Sequence, residues 1–148
     1  MIQKKNLRKV SGLTVVLMLA TIVIATSCTA AQNAQTTLEI TAAKGGFNKV
    51  SATVKNIGNV TAENITMTIS VKGGILNKIN ITKICSGCGN CSNSIAPDAT
   101  KTENTLEAGK IVGFGPVTVV ASAEASNAGL VSKTFSGFVL GFLVIITK

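Results

Sequence analysis

The chain of 148 residues has no histidine, no tryptophan and no tyrosine, and aromatic residues make up 3% of it. Without histidine, the commonest general base is missing, and neither a Ser–His nor a Cys–His nucleophile pair can be assembled. Acids are scarce: Glu39, Glu63, Asp98, Glu103, Glu107 and Glu124 are all there are. They are scattered through turns and wet faces, which reads as solvated surface charge. Arginine is absent beyond Arg8. A nucleic-acid reader would use arginine forks and stacking aromatics, so no nucleic-acid partner is expected. Gly73-Gly74 and Gly113-x-Gly115 are not phosphate loops, because neither opens a helix with Lys-Ser/Thr. No catalytic residue, no resident metal and no cofactor are expected. Charged residues are 14% of the chain, low for a cytosolic protein. Ser, Thr, Asn and Gly supply the polar surface instead, as suits an extracellular β-protein.

The formal charge of +8 is unevenly placed. Lys4, Lys5, Arg8 and Lys9 carry half of it, leaving +4 on ten lysines and the acids. Such a surface has at most a weak attraction for anionic envelope polymers. The four N-terminal cations precede Gly12–Ala25, GLTVVLMLATIVIA, apolar apart from two threonines, and then Thr26-Ser27-Cys28. Charged, apolar, small-residue is the order of an export signal. The run falls short of the roughly 20 residues that a comfortable membrane span needs, although an uncleaved anchor is the alternative. The sequence ATSC resembles the lipobox of exported lipoproteins, in which a Cys after small residues is acylated on cleavage, with Ala25 where Leu is usual. Cys28 is thus the candidate lipidation site, and ordinary cleavage after Ser27 or Ala30 is the competing reading. Residues 1–28 are read as the signal and 29–36 as a small polar linker. Residues 37–148 are read as the folded domain.

Within that domain, Lys49–Gly74 carries the clearest pattern. Val50, Ala52 and Val54 alternate with Ser51, Thr53 and Lys55. Ile65, Met67, Ile69 and Val71 alternate with Thr66, Thr68, Ser70 and Lys72. A period of two predicts strands with one dry and one wet face. On a helix the same apolar residues would spread around most of the circumference. Asn56-Ile57-Gly58-Asn59 lies between the runs, where Gly and Asn can take the positive φ of a tight reversal. The stretch is therefore expected to be a hairpin, with Gly73-Gly74 closing a second one. Thr37–Ala43 is a first strand with Leu38 and Ile40 inward. Phe47 is expected to plug one end of the core. Ile75–Ile84 is strand-like with two competing registers, Ile79 and Ile81 inward or Leu76 and Ile84 inward. Ser94–Ala99 is a loop with one inward Ile, and Thr100–Leu106 a polar edge strand. Ile111–Phe114 starts a strand that Gly113, Gly115 and Pro116 interrupt. Val117–Ala123 and Leu130–Phe138 follow. The apolar tail Phe135–Thr147 is expected to be a buried strand, because it is shorter than a span and contains Gly137 and Gly141, with a C-terminal anchor as the alternative; if incompletely covered, it offers an edge for docking, aggregation or self-association. Some seven or eight short strands with regular turns and no internal helix imply an all-β, antiparallel β-sandwich. Its core is expected to rest on Ile, Val, Ala and the five Phe.

VSATVKNIGNVTAENITMTISV resembles the exported Ig-like modules of the CARDB type, the cell-adhesion-related domains of bacterial and archaeal surface proteins. That pattern runs strand, Asn-x-Gly turn, a small residue such as Ala62, alternating strand. SIAPDATKTEN resembles the later Pro-Gly segment of such modules, with Asp98 where Gly is usual. GFGPVTVVASAEA and SGFVLG resemble the closing strands. The resemblance covers most of residues 37–142. It implies an Ig-like fold and a spacer or interaction role at the cell surface, and it supplies no catalytic residues.

One constellation has chemical potential. Cys85, Cys88 and Cys91 form CxxCxxC in a loop. Zinc or an iron–sulfur cluster wants four ligands, and no histidine or nearby cysteine supplies the fourth. Outside the cytosol thiols pair, most simply Cys85 with Cys88 or Cys91. Asn59, Asn64, Asn80 and Asn90 begin glycosylation sequons; chance in a chain rich in Asn and Thr is the plain alternative. Together these features predict a non-enzymatic cell-envelope protein on the outer face of the membrane. It would be held there by its N-terminal lipid or anchor and would meet envelope polymers or other surface proteins. The alternative is a small exported metal- or redox-active protein that uses the cysteine loop.

Overall fold

Alternating residues form strands here because the pleat sends successive side chains to opposite faces, and one face finds a core. The computed structural model of the protein describes residues 35–86 and 93–147. The signal segment with Cys28, most of the linker, Cys88, Cys91 and Asn90 lie outside the described residues. The described chain is all-β. Its strands are β1 (Leu38–Gly45), β2 (Val50–Asn56), β3 (Ala62–Glu63), β4 (Thr66–Gly73), β5 (Ile79–Ser86), β6 (Ser94–Ile95), β7 (Thr100–Asn104), β8 (Gly113–Ala125), β9 (Ala128–Gly141) and β10 (Leu143–Thr147). A single 3-10 turn, Ile75–Asn77, joins β4 to β5.

The strands make three antiparallel sheets, ordered β1-β2-β7, β10-β9-β8-β4-β5 and β3-β6. The dry faces of the three- and five-stranded sheets share one core. Leu38, Ile40, Val50, Ala52 and Val54 come from the first. Met67, Ile69, Val71, Val117, Val119 and Val139 come from the second. The two short strands close one end with Ala62 and Ile95. The arrangement is sandwich-like, and the alternation in β1, β2 and β4 points the side chains inward as expected.

Several expectations are corrected. The stretch around Asn56–Asn59 is not a hairpin. β2 belongs to the three-stranded sheet and β4 to the five-stranded one, so the chain crosses between sheets there. Period-two alternation says which face of a strand is dry, and is silent about which strand lies beside it. Nor does that crossing use positive φ at Gly58 or Asn59. Gly58 is there for close approach: a Cβ would sit 2.3 Å from the Gln35 carbonyl oxygen and 2.6 Å from the Thr37 nitrogen. The entering chain lies across it, with the Ile57 N–H donating to the Thr37 carbonyl (2.8 Å) and the Asn59 N–H to the Gln35 carbonyl (3.0 Å).

Asn56, read as part of the turn, is the last inward residue of β2 and is fully buried. Its Nδ2 donates to the carbonyls of Val60 (2.8 Å) and Ile95 (2.9 Å), and its Oδ1 accepts from the Gly58 N–H (3.0 Å). Such satisfaction is what a buried amide requires. Asp98 takes φ 59°, the left-handed backbone that favours Gly at this place in the resembled pattern, and pairs with Lys55 at 3.0 Å. Asp is one of the few other residues that visit that region readily.

Further along, β5 resolves the two-register question. Ile79 and Cys85 are buried, whereas Ile84 is 62% and Leu76 82% exposed. Gly113, Gly115 and Pro116 do not interrupt a strand, since β8 runs through all three. The tail is not one buried strand. Its residues divide between the end of β9 and β10, a hairpin turning at Gly141-Phe142 with Gly141 at φ 65°. Only Val139 and Val144 are fully buried there. The aromatic core is overturned as well. Phe47, Phe114, Phe138 and Phe142 are exposed, and Phe135 alone packs against the core, part-covered. Ile, Val, Ala and Met67 fill it instead.

Candidate functional site

Antiparallel pairing gives the domain two chemically distinct ends. At the entry end lie Gln35, the Asn56–Thr61 crossing, the starts of β1 and β4, and the β8–β9 turn. At the far end lie the β1–β2 turn, the Gly73–Asn77 turn, the start of β8 and the β9–β10 turn. These far-end turns are bound to one another. The Val144 N–H donates to the Gly46 carbonyl (3.0 Å), the Asn48 N–H to the Phe142 carbonyl (2.7 Å) and the Gly74 N–H to the Pro116 carbonyl (2.7 Å).

The entry end is closely hydrogen-bonded, and Ile57, Ile84 and Leu130 are exposed towards it. The Asn127 side chain donates to the Thr61 carbonyl (2.8 Å) and accepts from the Glu63 N–H (3.0 Å). The Asn93 Nδ2 donates to the Asn64 Oδ1 (2.9 Å). Glu39, Glu63, Asp98 and Glu124 are found towards this end, by their strand partners. Cys85, next to last in β5, points inward beside Met67 at 2% exposure. Its sulfur is engaged rather than a free thiol, and Cys88 and Cys91 lie outside the described residues. Of the sequon asparagines, Asn59 and Asn64 are exposed at the entry end, and both spend side-chain oxygens on hydrogen bonds. Asn80 is exposed on β5, away from them.

No group of three or more His, Cys, Asp or Glu side chains converges among the described residues. The carboxylates remain apart. Glu107 pairs with Lys83, and Glu103 with Lys101 at 3.7 Å. A groove of about 600 Å³ opens between β1 and the β9–β10 hairpin. Lys133 beside it donates to the Ile40 carbonyl (3.3 Å) and lies 5.6 Å from the Phe135 ring centre, so its cation already has partners.

The far end is what the sequence did not disclose. Phe47 (68% exposed) and Phe142 (52%) stand side by side, ring centres 5.8 Å apart. On the outer face of the five-stranded sheet, Leu143 pairs with Leu140, and Leu140 with Phe114. Leu76, Lys78, Val112 and Phe114 border a depression of about 220 Å³ beside them. An exposed apolar patch of this kind marks a contact surface. A signal was present: Phe47, Phe114 and Phe142 each follow a glycine in a turn or at a strand end, and Leu76 precedes an asparagine. Compared with models of known families and with curated proteins, the chain matches none.

Proposed function

We propose that this chain is a non-enzymatic cell-envelope protein, an Ig-like module tethered through its N-terminus that serves adhesion, spacing or assembly at the cell surface. The observation that carries the reading is the polarity of the domain. The chain enters at the closely hydrogen-bonded end, and the paired, exposed phenylalanines Phe47 and Phe142 stand at the opposite end. A module tethered at its entry end therefore holds its contact surface away from the tether. The resemblance to CARDB-type modules and the order of the N-terminal residues point the same way. Cys28 is the lipid-bearing residue in this reading, and a disulfide from Cys85 to Cys88 or Cys91 closes the loop after β5. The burial and engagement of the Cys85 sulfur support that bond. The test is fractionation of cells expressing Cys28→Ser. Export should continue while the protein leaves the membrane for the medium. Retention in the membrane would mean that an uncleaved helix holds it. Stoichiometric zinc or iron in the purified protein would favour the metal- or redox-active alternative.

A further inference from the structure

We infer that the far end of the domain docks on an anionic lipid surface, by inserting Phe47, Phe142, Leu76 and Phe114 among the headgroups. The inference rests on the tethered-module reading for its orientation and on the far end's own chemistry for its partner. These four side chains sit on turns and a strand start at one end, each more than half exposed. Around them stand Lys44, Lys49, Lys72, Lys78 and Lys110. Lys44 ends β1 beside Gly45 and Lys49 precedes β2. Lys72 lies on the outer face two positions from Gly74, and Lys78 shares the depression with Leu76 and Phe114. Lys110 precedes Ile111, whose N–H donates to the Asn48 carbonyl (2.9 Å). Among the described residues none of these five lysines is in an ion pair, while the two carboxylates nearest this end, Glu103 and Glu107, are each held by another lysine. Exposed apolar side chains with lysines near them on the same end meet the requirement for interfacial binding: the apolar groups gain by leaving water, and the cations by approaching negative headgroups.

The same charge argues against a second copy as the occupant. Two far ends brought head to head would set ten lysines around one apolar contact with no free acid between them, and like charges across an interface are strongly unfavourable.

The test is vesicle bridging by the full chain. The protein is loaded on phosphatidylcholine vesicles, and retention after a high-salt wash reports the N-terminal anchor. Loaded vesicles are then mixed with dye-labelled acceptors of phosphatidylcholine alone or of an equal mixture with phosphatidylglycerol, and recovery of dye by flotation is read. If the chain washes off, the anchor reading fails, and the same flotation with protein added directly to the acceptors still reads docking. The expected result is capture of the anionic acceptors only, weakening with salt. Phe47→Ser with Phe142→Ser should reduce capture at least on the order of tenfold. Lys72→Gln and Lys78→Gln should each reduce it roughly fivefold. All are surface changes, and an unchanged melting curve would show that the fold is intact. Equal capture of neutral vesicles, capture that survives the double Phe variant, or capture of neither acceptor would overturn the inference. Capture only when the acceptors also carry the chain would replace lipid by a second copy.

Discussion

Replacing Asn56 by Leu removes a side chain of similar size whose amide holds three separate pieces of chain at the entry end. Its Nδ2 donates to the Val60 and Ile95 carbonyls and its Oδ1 accepts the Gly58 N–H, all between 2.8 and 3.0 Å; Asn56 itself is fully buried, and the bonds to Val60 and Gly58 are part-buried. A typical hydrogen bond contributes about 1 kcal/mol net, and a buried group left without a partner costs about 1–3 kcal/mol. The loss of three bonds should therefore cost about 3 kcal/mol or more, against a small gain from burying the Leu methyls. Equilibrium denaturation by urea measures it directly: the midpoint should fall with little change in slope. Ser70→Ala is the control. The Ser70 hydroxyl meets Thr82 Oγ1 at 3.2 Å on the wet face, where water can replace it, and the cost should stay below about 1 kcal/mol. If Asn56→Leu costs no more than Ser70→Ala, the side chain is not what joins β2, the crossing and β6, and the account of this end is wrong.

Three further outcomes are expected. Ile69→Ala should cost about 2–5 kcal/mol because Ile69 is buried between the sheets, while Thr68→Ala on the outer face should stay near 0.5 kcal/mol or about that; equal costs by denaturant melt would mean that β4 has the opposite face inward. Gly58→Ala places a methyl where Gln35 and Thr37 pass, so the incoming segment should lift off and amide exchange at Ile57 and Asn59 should accelerate, at a cost of about 1–3 kcal/mol; unchanged exchange would refute the close-approach argument. The triple variant Cys85→Ser, Cys88→Ser, Cys91→Ser should keep its β-sheet circular dichroism and lose about 2 kcal/mol from the chain entropy of so short a ring, with about 1–3 kcal/mol more for the hydroxyl buried where the Cys85 sulfur packs in the core. A chelator that lowers the melting temperature of the parent protein would instead indicate a metal-organised loop.

The sequence by itself determined that the domain is all-β and which residues of β1, β2 and β4 face inward. Alternation is local: Val50, Ala52 and Val54 must share a face of any strand they form, whatever lies across from it. It also placed Ile95 inward and β7 at a sheet edge, since a strand of Thr, Lys, Glu and Asn can tolerate water. The tertiary structure alone decided strand partnership. The crossing at Asn56–Asn59 looked like a hairpin because a sheet change and a tight reversal both use short polar turns. The buried role of Asn56 was hidden for a related reason, since its partner at Ile95 becomes a neighbour only after β6 docks. The register of β5 depended on pairing with β4, which turned Cys85 inward and Ile84 outward. The phenylalanines depended on where the sheets end. Hydrophobicity says that a Phe gains by burial; it does not say that core volume reaches that Phe. Here Ile, Val, Ala and Met fill the space between the sheets, and the turns carry Phe47, Phe114 and Phe142 past its edge into solvent.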